Sequence, residues 1–566
     1  MINQLRSAVE FASHLPRYHE ILRVLFKYGF ADVLKLVALQ RIIGIEDAVL
    51  QTHETGVLAK PPAERLRLAL EELGPTFIKL GQILSARRDL ISADFQVELE
   101  KLQDDVPTFP GKEAKRIFKE ELGISVTEAF SEFDEEPLAG ASMAQVHRAV
   151  TKEGAIVAVK VQRPDIRPLI ERDLSIILDL ARFVDKHVEE ISVLNPVGVV
   201  HEFSETIRKE LDFNNEAANA ERFAKQFEGS EEISVPAVLR EFTSQRILTM
   251  EFMTGMSVVD VDKLKAAGVD PVELSERISR LIYAQIFEHG FFHGDPHPGN
   301  MTVLEGGVVG LYDYGMMGSF SPGFRSSIAH LIFGLAEKDH QQVMRSILNM
   351  SEEGLVDNAD KMLRDVEDFS DQHLNQPLRD INLGNVLNKL LELLRENRLR
   401  MKGSFYLGIK ALSQVEAIGR ALNPDLNFIM LGKPYASKLI YDKYHPLRLY
   451  DLAKKFLTET VDFLDDFPHD FRTLWNRARR GQLNIPLQRK IDPDGFEPLR
   501  LTLDSIANRL TNAILAASVL ICSSILVLSG LPPKLWDVPV IGAIGLIWGG
   551  YMCVRLALSI WKHGGL

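Results

Sequence analysis

The sequence predicts an α+β protein with a small β-rich unit, a larger helical unit and a C-terminal transmembrane helical hairpin. Short runs rich in β-branched residues, such as "AIVAVKVQ" and "QRILTMEFM", lie between residues 130 and 255. From residue 256 onward, apolar residues recur at helical spacing. Two strongly apolar windows follow near the C-terminus. A chain of 566 residues is also too long for one compact core.

Composition excludes several classes of function. A hydrophobic content of 46% with 25% charged residues is typical of a folded chain. The net charge of -13 argues against a nucleic-acid partner, since such binding requires clustered cations. The two cysteines, Cys522 and Cys553, lie in apolar stretches, so neither a disulfide framework nor a thiol zinc site is expected. No removable secretory signal is expected, and the bulk of the chain should be cytoplasmic.

Residues 1–60 are predicted to form amphipathic helices in which basic residues outnumber acidic ones. Such helices can lie on anionic lipid or pack against a neighbouring domain, and both interpretations stay open. The next unit, 61–130, is also predicted to be helical and contains "FIKLGQIL". Within this stretch Lys79 and Gln82 are three residues apart on one face of an apolar helix, so that face either meets solvent or enters a polar pocket.

The β-rich unit, 131–255, contains "VAVK", which ends in Lys160. A lysine that closes an apolar strand usually reaches solvent, but it can also hold phosphates when an acidic residue orients it. The helical stretch "ELDFNNEAANAERF" supplies candidates for that acid. Because Asp212, Glu216 and Asn219 share one side of this helix, Glu216 is the predicted partner of Lys160, with Glu210 as the alternative.

The helical unit, 256–430, contains "FFHGDPHPGN" and, thirteen residues after Asn300, the aspartate of "LYDYGMMG". The first segment follows a helix that is predicted to begin with Asp270 as its N-cap. Oxygen ligands from Asp295, Asn300 and Asp313 suit magnesium, which shares its coordination with substrate phosphates. The segment's two histidines could instead form a metal site, but a structural role is favoured because no third ligand is nearby.

The ordered set Lys160, Glu216, Asp295, Asn300 and Asp313 resembles the order of catalytic residues in protein kinases. The sequence therefore predicts a protein-kinase-like two-lobed fold with an N-terminal helical extension. Gly294 replaces the arginine of the usual H-R-D motif, and no A-P-E motif follows "DYG". Activation by a phosphorylated loop that docks on that arginine is therefore not expected.

A connector, 431–505, and two transmembrane helices within 506–562 are predicted to complete the chain. The apolar windows 510–530 and 538–561 would each cover about 30 Å as helices, the thickness of a bilayer core. Basic residues before the first window and after the second predict that both ends face the cytoplasm. A buried hairpin of a soluble protein is the alternative. Gly545 and Gly549 could let two helices approach closely.

Several motifs together resemble the UbiB family of atypical kinases. "LGPTFIKLGQILSARRDLI" is similar to the family's K-x-G-Q signature, and "PLAGASMAQVHRA" resembles its alanine-rich loop. "ELDF" is similar to the E-x-D element, with Glu210 and Asp212. Gly140 departs from the pattern, because the family commonly has another alanine there.

The resemblance implies ATP and Mg²⁺ as cofactors, with Asp295 as the catalytic residue. It implies that the K-x-G-Q helix lies across the active site and blocks the place of a protein substrate. The residues expected to take part are, for nucleotide binding, Ala139, Gly140, Ala141, Ser142, Lys160, Glu216, Glu251 and Met253; for the metal, Asn300 and Asp313; and for regulation, Lys79, Gln82, Glu210 and Asp212.

The resemblance further implies a membrane-anchored kinase or ATPase of the bacterial inner membrane that supports ubiquinone biosynthesis. Its expected partners are membrane lipid, prenylated quinone precursors and other enzymes of the pathway. Two alternatives remain. "HGDPHPGN" also resembles the loop of aminoglycoside and choline kinases, which favours a small-molecule or protein kinase. The second alternative is a non-catalytic scaffold in which a bound nucleotide only sets the conformation.

Overall fold

The structure is a computed structural model that describes most of the chain. The described residues are 2–30, 59–87, 90–102, 107–187, 195–352, 356, 358–373, 383–444, 515–529, 533–535 and 538–563. They belong to two compact units, Met1–Ala453 and Lys454–Leu566.

The described part of the N-terminal extension of the first unit is mainly helical. Its helices are α1 (Ile2–Lys27), α2 (Pro62–Leu73), α3 (Pro75–Ala86) and α4 (Ala93–Leu99). Gly74 separates α2 from α3 with a φ of 94°, a conformation that glycine adopts without steric cost, and Pro75 then begins α3. Apolar side chains of these helices pack in one core with the helices Ile166–His187 and Pro196–Glu210.

A five-stranded sheet forms the small lobe. The strands of this sheet are β1 (Phe130–Phe133), β2 (Ala139–Gly140), β3 (Ala144–Thr151), β4 (Ile156–Gln162) and β6 (Ile247–Glu251). Two helices precede them, α5 (Gly111–Leu122) and α6 (Val126–Ala129). The pairing is antiparallel, with β3 between β1 and β4 and with β6 beyond β4. The register places Ala139, Val146, Lys160 and Leu248 in one row across the sheet. The alanine-rich segment therefore starts in the same row as Lys160.

Three helices lie between β4 and β6 in the sequence. They are α7 (Ile166–His187), α8 (Pro196–Glu210) and α9 (Phe213–Gln226). The N-cap of α9 is Asp212, whose side chain accepts a hydrogen bond from the Asn214 backbone. Phe203 of α8 is fully buried in the core shared with the N-terminal extension, which fixes α8 beside α3.

The larger lobe is mainly helical, and its short strands carry the loops of the candidate site. Its elements are β5 (Ile233–Ser234), β7 (Met256–Ser257), α10 (Val261–Ala266), α11 (Pro271–Tyr283), β8 (Phe291–His293), β9 (Met301–Val303), β10 (Val309–Leu311), β11 (Met317–Ser319), α12 (Pro322–Glu337), α13 (His340–Met350), α14 (Ala359–His373), α15 (Leu383–Glu396), α16 (Gly403–Leu422) and α17 (Phe428–Tyr444). The strands β9 and β10 form an antiparallel hairpin, and β8 pairs with β11.

The predicted capping of α11 is present. Asp270 is its N-cap and accepts a hydrogen bond from the Val272 backbone, and Pro271 is the first helical residue. The helix ends in a π-helical turn, Ala284–His289, which leads into β8. Such turns insert an extra residue and often occur at functional sites.

The second unit contains a helix at 515–529, the short strands β12 (Lys534–Leu535) and β13 (Val538–Pro539), and the helix α18 (Val540–His563). A Cβ atom at Gly549 would lie 2.8 Å from Leu520 Cδ2, so the two helices approach closely there.

The predicted α+β, kinase-like fold is confirmed, but the spanning hairpin predicted within 506–562 is not supported. Among the residues that the structure describes, no helix combines the length and the apolar character needed to cross a bilayer.

Candidate nucleotide-binding site

Lys160 and Glu216 form an ion pair at the centre of the candidate site. Lys160 Nζ lies 2.9 Å from both carboxylate oxygens of Glu216, and 3.8 Å from Asp313 Oδ2. The partner is therefore Glu216 and not the alternative Glu210. Lys160 lies on β4 and Glu216 on α9, so this pair ties the sheet to the helix.

The electrostatics of this cluster follow from one cation between two carboxylates. Burial alone would lower the pKa of Lys160, but the charges of Asp313 and Glu216 raise it above its ordinary value. Burial raises the pKa of Glu216 to about 7, and the negative charge of Asp313 acts in the same direction. Burial would raise the pKa of Asp313 too, but Lys160 lowers it to about 2. Asp313 therefore stays ionised at neutral pH.

The hairpin β9–β10 brings Asn300 and Asp313 to the same end of the fold. Met301 pairs with Leu311, so Asn300 directly precedes the paired residues and Asp313 follows two positions after them. The Asn300 side-chain amide donates to the Asp295 carbonyl at 3.2 Å, which leaves its oxygen as the atom for a ligand. Asp313 Oδ1 accepts from the Gly315 backbone at 2.9 Å. A carboxamide oxygen and an ionised carboxylate fit Mg²⁺.

His293 connects the predicted catalytic loop, residues 291–300, to the D-Y-G segment, residues 313–315. Its Nδ1 accepts from the Asp295 backbone N–H at 3.2 Å, so the ring proton is on Nε2, which donates to the Asp313 carbonyl. Burial lowers the pKa of His293, which keeps the ring neutral. Among the described residues, no cluster of three or more His, Cys, Asp or Glu side chains could hold a metal ion. Both ring nitrogens of His293 therefore take part in hydrogen bonds to the backbone.

Asp295 contacts two residues that the sequence did not identify. Lys410 Nζ lies 2.8 Å from Asp295 Oδ1, and Gln414 Nε2 donates to the same oxygen at 2.8 Å. Both residues lie on α16, one turn apart. Burial would raise the pKa of Asp295, but Lys410 and Gln414 lower it below its ordinary value. The only sequence signal was a lysine and a glutamine four residues apart in a mostly apolar helix.

The alanine-rich segment forms a tight hairpin between β2 and β3. Ala139 and Gly140 pair with β3, and the Ala141 backbone N–H donates to the Ala144 carbonyl at 2.7 Å. Arg163 Nε donates to the Ala141 carbonyl at 2.9 Å, and Ser142 is buried. Pairing with β3 and the hydrogen bond from Arg163 therefore both hold this segment in place.

Two further predicted nucleotide-binding residues, Glu251 and Met253, lie at and just after the end of β6. Glu251 belongs to β6, and its backbone N–H donates to the Ala237 carbonyl at 2.8 Å. Met253 lies over β10, because a Cβ atom at Gly310 would be 3.2 Å from the Met253 sulfur. Met253 is thus close to the strand that leads to Asp313.

The K-x-G-Q helix reaches the site through Lys79. Lys79 is buried, and its Nζ lies 2.6 Å from Glu210 Oε1 at the end of α8. Glu210 in turn lies beside Gly315 of the D-Y-G segment, where an added Cβ would be 4.0 Å from Glu210 Cγ. Of the two interpretations of this face of α3, the structure has Lys79 in a polar pocket and not in solvent.

The other two predicted regulatory residues make different contacts. Gln82 Nε2 donates to the Leu102 carbonyl at 3.1 Å. Asp212 caps α9 and accepts from Gln245 Nε2 at 3.4 Å. Gly81 lies in close contact with Leu102 and Leu70. A Cβ atom added at this position would overlap Leu102 and lie 2.9 Å from Leu70 Cδ1. The motif thus combines a polar contact with close helix packing.

Taken together, the structure brings Lys160, Glu216 and Asp313 into one cluster and connects Asp295 and Asn300 to it through the catalytic loop. Lys79 and Glu210 lie beside this cluster, whereas Gln82 contacts the 90–102 segment. The roles of these residues in binding and catalysis stay predictions.

A two-lobed fold with these loops defines a kinase-like protein, and comparison with known proteins gives its family. Residues 101–347 match the ABC1 atypical kinase-like domain, 366–427 the UbiB helical domain, and 494–562 the ABC1/UbiB kinase-like C-terminal domain. The chain belongs to the UbiB family of atypical kinases.

Relatives match over nearly the whole chain. "Probable protein kinase UbiB" of Xanthomonas campestris pv. campestris (strain B100) is 32% identical over 558 residues, which covers 96% of this chain and 98% of the relative. The protein of the same name from Xylella fastidiosa (strain 9a5c) is 31% identical, covering 95% of this chain and 98% of the relative. The solved complex of Rv3197 with erythromycin from Mycobacterium tuberculosis is 23% identical, with a TM-score of 0.45, covering 67% of this chain and 96% of that chain.

Proposed function

We propose that this protein is an Mg-ATP-dependent atypical kinase or ATPase that supports ubiquinone biosynthesis at the bacterial inner membrane by handling lipid precursors. The observation that carries the proposal is the Lys160–Glu216 ion pair with Asp313 3.8 Å from Lys160 Nζ. This arrangement corresponds to the lysine, helix acid and metal-binding aspartate on which kinases depend. Two family relatives bear the name of a protein kinase UbiB.

The proposed roles follow from charge and position. Lys160, held by Glu216, contacts the α and β phosphates of ATP, and Asn300 and Asp313 hold magnesium. Bound magnesium neutralises charge that develops on the phosphate oxygens. Asp295 stays ionised beside Lys410, so it orients a hydroxyl group or a water molecule more readily than it removes a proton.

The nucleotide proposal is tested by measuring the affinity of the purified full-length protein for Mg-ATP. Asp313→Asn should bind Mg-ATP at least tenfold more weakly, because the variant loses a charged metal ligand. Asp262→Asn, an exposed substitution on α10, is the matched control and should bind as the wild type does. Unchanged affinity in Asp313→Asn would remove this residue from the metal site.

The cellular role is tested by lipid analysis of a deletion strain complemented with variants. Wild type should restore ubiquinone, whereas Asp295→Asn and Asp313→Asn should leave an early prenylated phenol to accumulate. If Asp295→Asn restored ubiquinone while Asp313→Asn did not, the nucleotide would act only on conformation. The protein would then be a non-catalytic scaffold and not an enzyme.

Attachment to the membrane is supported by the second unit. Large apolar side chains are exposed on the two helices that the structure describes in this unit, including Leu528, Ile547 and Trp548. Exposed apolar surface of this kind is typical of membrane or protein contacts. Wild type should float with liposomes, and Leu528→Asp combined with Ile547→Asp should float less. Equal flotation of the two proteins would contradict attachment through these helices.

A further inference from the structure

A cavity of about 600 Å³ lies inside the helical lobe, among α11, α12, α14, α15, α16 and α17. No residue to which we assign nucleotide or magnesium binding lines it. Its walls are mainly buried apolar side chains, among them Ile286, Phe287, Leu331, Leu390, Phe405 and Ile409. This volume is in the range of small-molecule binding sites, and its apolar walls are typical of them.

The polar groups of the cavity are almost confined to its rim. Among the described residues that line it, Glu337, Lys338, Lys433 and Ser437 are exposed. The exception, Tyr283, is buried, and its hydroxyl already donates to the Phe428 carbonyl at 3.0 Å. The interior therefore offers few hydrogen-bond partners to a ligand.

This distribution separates two classes of occupant. A peptide segment would bring backbone N–H and C=O groups into the cavity, and each group left without a partner costs free energy. A hydrocarbon chain has no polar groups that need hydrogen-bond partners. An apolar cavity of about 150 Å³ holds one benzene ring, so about 600 Å³ gives room for about 24 carbon atoms.

The rim combines apolar and cationic side chains. Ile332, Phe333 and Met430 are between 39% and 46% exposed, although they are large and apolar. Lys338 and Lys433 lie on the same rim, where they outnumber Glu337. Exposed apolar residues beside lysines suit the surface of an anionic membrane and an anionic headgroup.

We propose that this cavity binds the hydrocarbon chain of one lipid molecule, with an anionic headgroup at the rim that carries Lys338 and Lys433. The chain enters past Phe333 and lies against the buried walls of α12, α16 and α17. The inference rests on the proposed function for its link to ATP turnover, but binding itself requires no nucleotide.

The test is direct binding of radiolabelled geranylgeranyl phosphate to the purified full-length protein. Wild type should bind one molecule per chain. Ala436→Phe adds a ring to a buried wall of the cavity and should weaken binding at least tenfold. Val272→Phe, at an exposed position of α11 outside the cavity, is the matched control and should bind as the wild type does. Equal affinity in Ala436→Phe would overturn the inference.

Two surface variants keep the test decisive if Ala436→Phe does not fold. Phe333→Asp places a charge at the rim and should weaken binding of both geranylgeranyl phosphate and uncharged geranylgeraniol. Lys433→Glu should weaken binding of the phosphate alone, and Lys265→Glu on α10 is its control. Unchanged binding in Phe333→Asp, or no binding by wild type, overturns the inference.

The outcome is separable from that of the proposed function. Mg-ATP affinity is measured on the same samples, and Ala436→Phe should leave it unchanged because Ala436 does not belong to the nucleotide-binding residues. If lipid binding persisted in Ala436→Phe while Asp313→Asn lost nucleotide, the cavity inference alone would fail. If Asp313→Asn kept its nucleotide affinity, the proposed metal site would fail whatever the lipid result.

Discussion

Lys410 on α16 pairs with Asp295 of the catalytic loop, with 2.8 Å between Nζ and Oδ1. Gln414, one turn later, donates to the same oxygen. Both residues lie in the part of the chain that matches the UbiB helical domain. That domain therefore supplies two of the side chains that contact the predicted catalytic aspartate.

Replacing Lys410 should slow turnover with little effect on nucleotide affinity. In Lys410→Met, Asp295 loses the cation that orients its carboxylate, so kcat for ATP hydrolysis should fall about tenfold to a hundredfold. Lys410→Arg should recover part of the loss because it restores the charge. Steady-state kinetics with separate kcat and KM values are the measurement.

The matched control for this experiment is Lys402→Met, because Lys402 is an exposed lysine at the start of the same helix. Its kinetics should equal those of the wild type. A normal kcat in Lys410→Met would show that the ion pair does not assist Asp295.

Glu216 should make stability depend on pH in the absence of metal and nucleotide. Its pKa of about 7 in the folded state is above the ordinary value of 4.5, so the folded state keeps a proton that the unfolded state releases. This contribution is complete below pH 4.5 and is lost as the pH rises through 7. Wild type should lose on the order of 1–3 kcal/mol across this range relative to Glu216→Gln.

The measurement is the thermal midpoint of both proteins in EDTA at a series of pH values. Glu216→Gln carries no titrating group at this position, so its curve isolates the effect. Parallel curves for the two proteins would contradict a raised pKa of Glu216.

The Lys79–Glu210 pair should hold the K-x-G-Q helix in place. Lys79→Ala leaves a shielded carboxylate without its partner, so amide hydrogens of 75–86 should exchange faster, by about tenfold or more. Lys101→Ala, which breaks an exposed pair with Glu98, should change exchange little. Mass spectrometry of the exchanged peptides is the measurement, and unchanged protection in Lys79→Ala would argue that apolar packing alone fixes α3.

Gly81 should be intolerant of a side chain because α3 packs closely there. The added methyl group of Gly81→Ala would overlap Leu102, so unfolding should become easier by about 1–3 kcal/mol. Gly323→Ala, where no atom lies within 4 Å of the new Cβ, is the control and should be neutral or slightly stabilising. Denaturant titration measures both, and equal midpoints for wild type and Gly81→Ala would show that Leu102 adjusts without cost.

Local patterns made much of the fold predictable. The β-branched residues of "AIVAVKVQ" predicted β4, and the Asp270–Pro271 pair predicted the start of α11, because strand propensity and helix capping depend on neighbouring residues. Helical spacing also singled out Glu216 as the partner of Lys160, and the contact is present. The π-helical turn after Tyr283 was not predicted, because one inserted residue barely changes an apolar pattern.

Contacts between distant segments could not be predicted from such patterns. Lys410 and Gln414 reach Asp295 only because α16 crosses the catalytic loop, and no local rule gives that crossing. The cavity beside Ala436 likewise depends on how six helices pack, which residue order alone does not determine.

Two side chains donate hydrogen bonds to backbone carbonyls of the D-Y-G segment. His293 donates to the Asp313 carbonyl, and Asn219 Nδ2 donates to the Tyr314 carbonyl at 3.0 Å. An inhibitor that needs this segment to swing outward would have to break both contacts. Compounds that bind without displacing these two carbonyls should therefore be favoured.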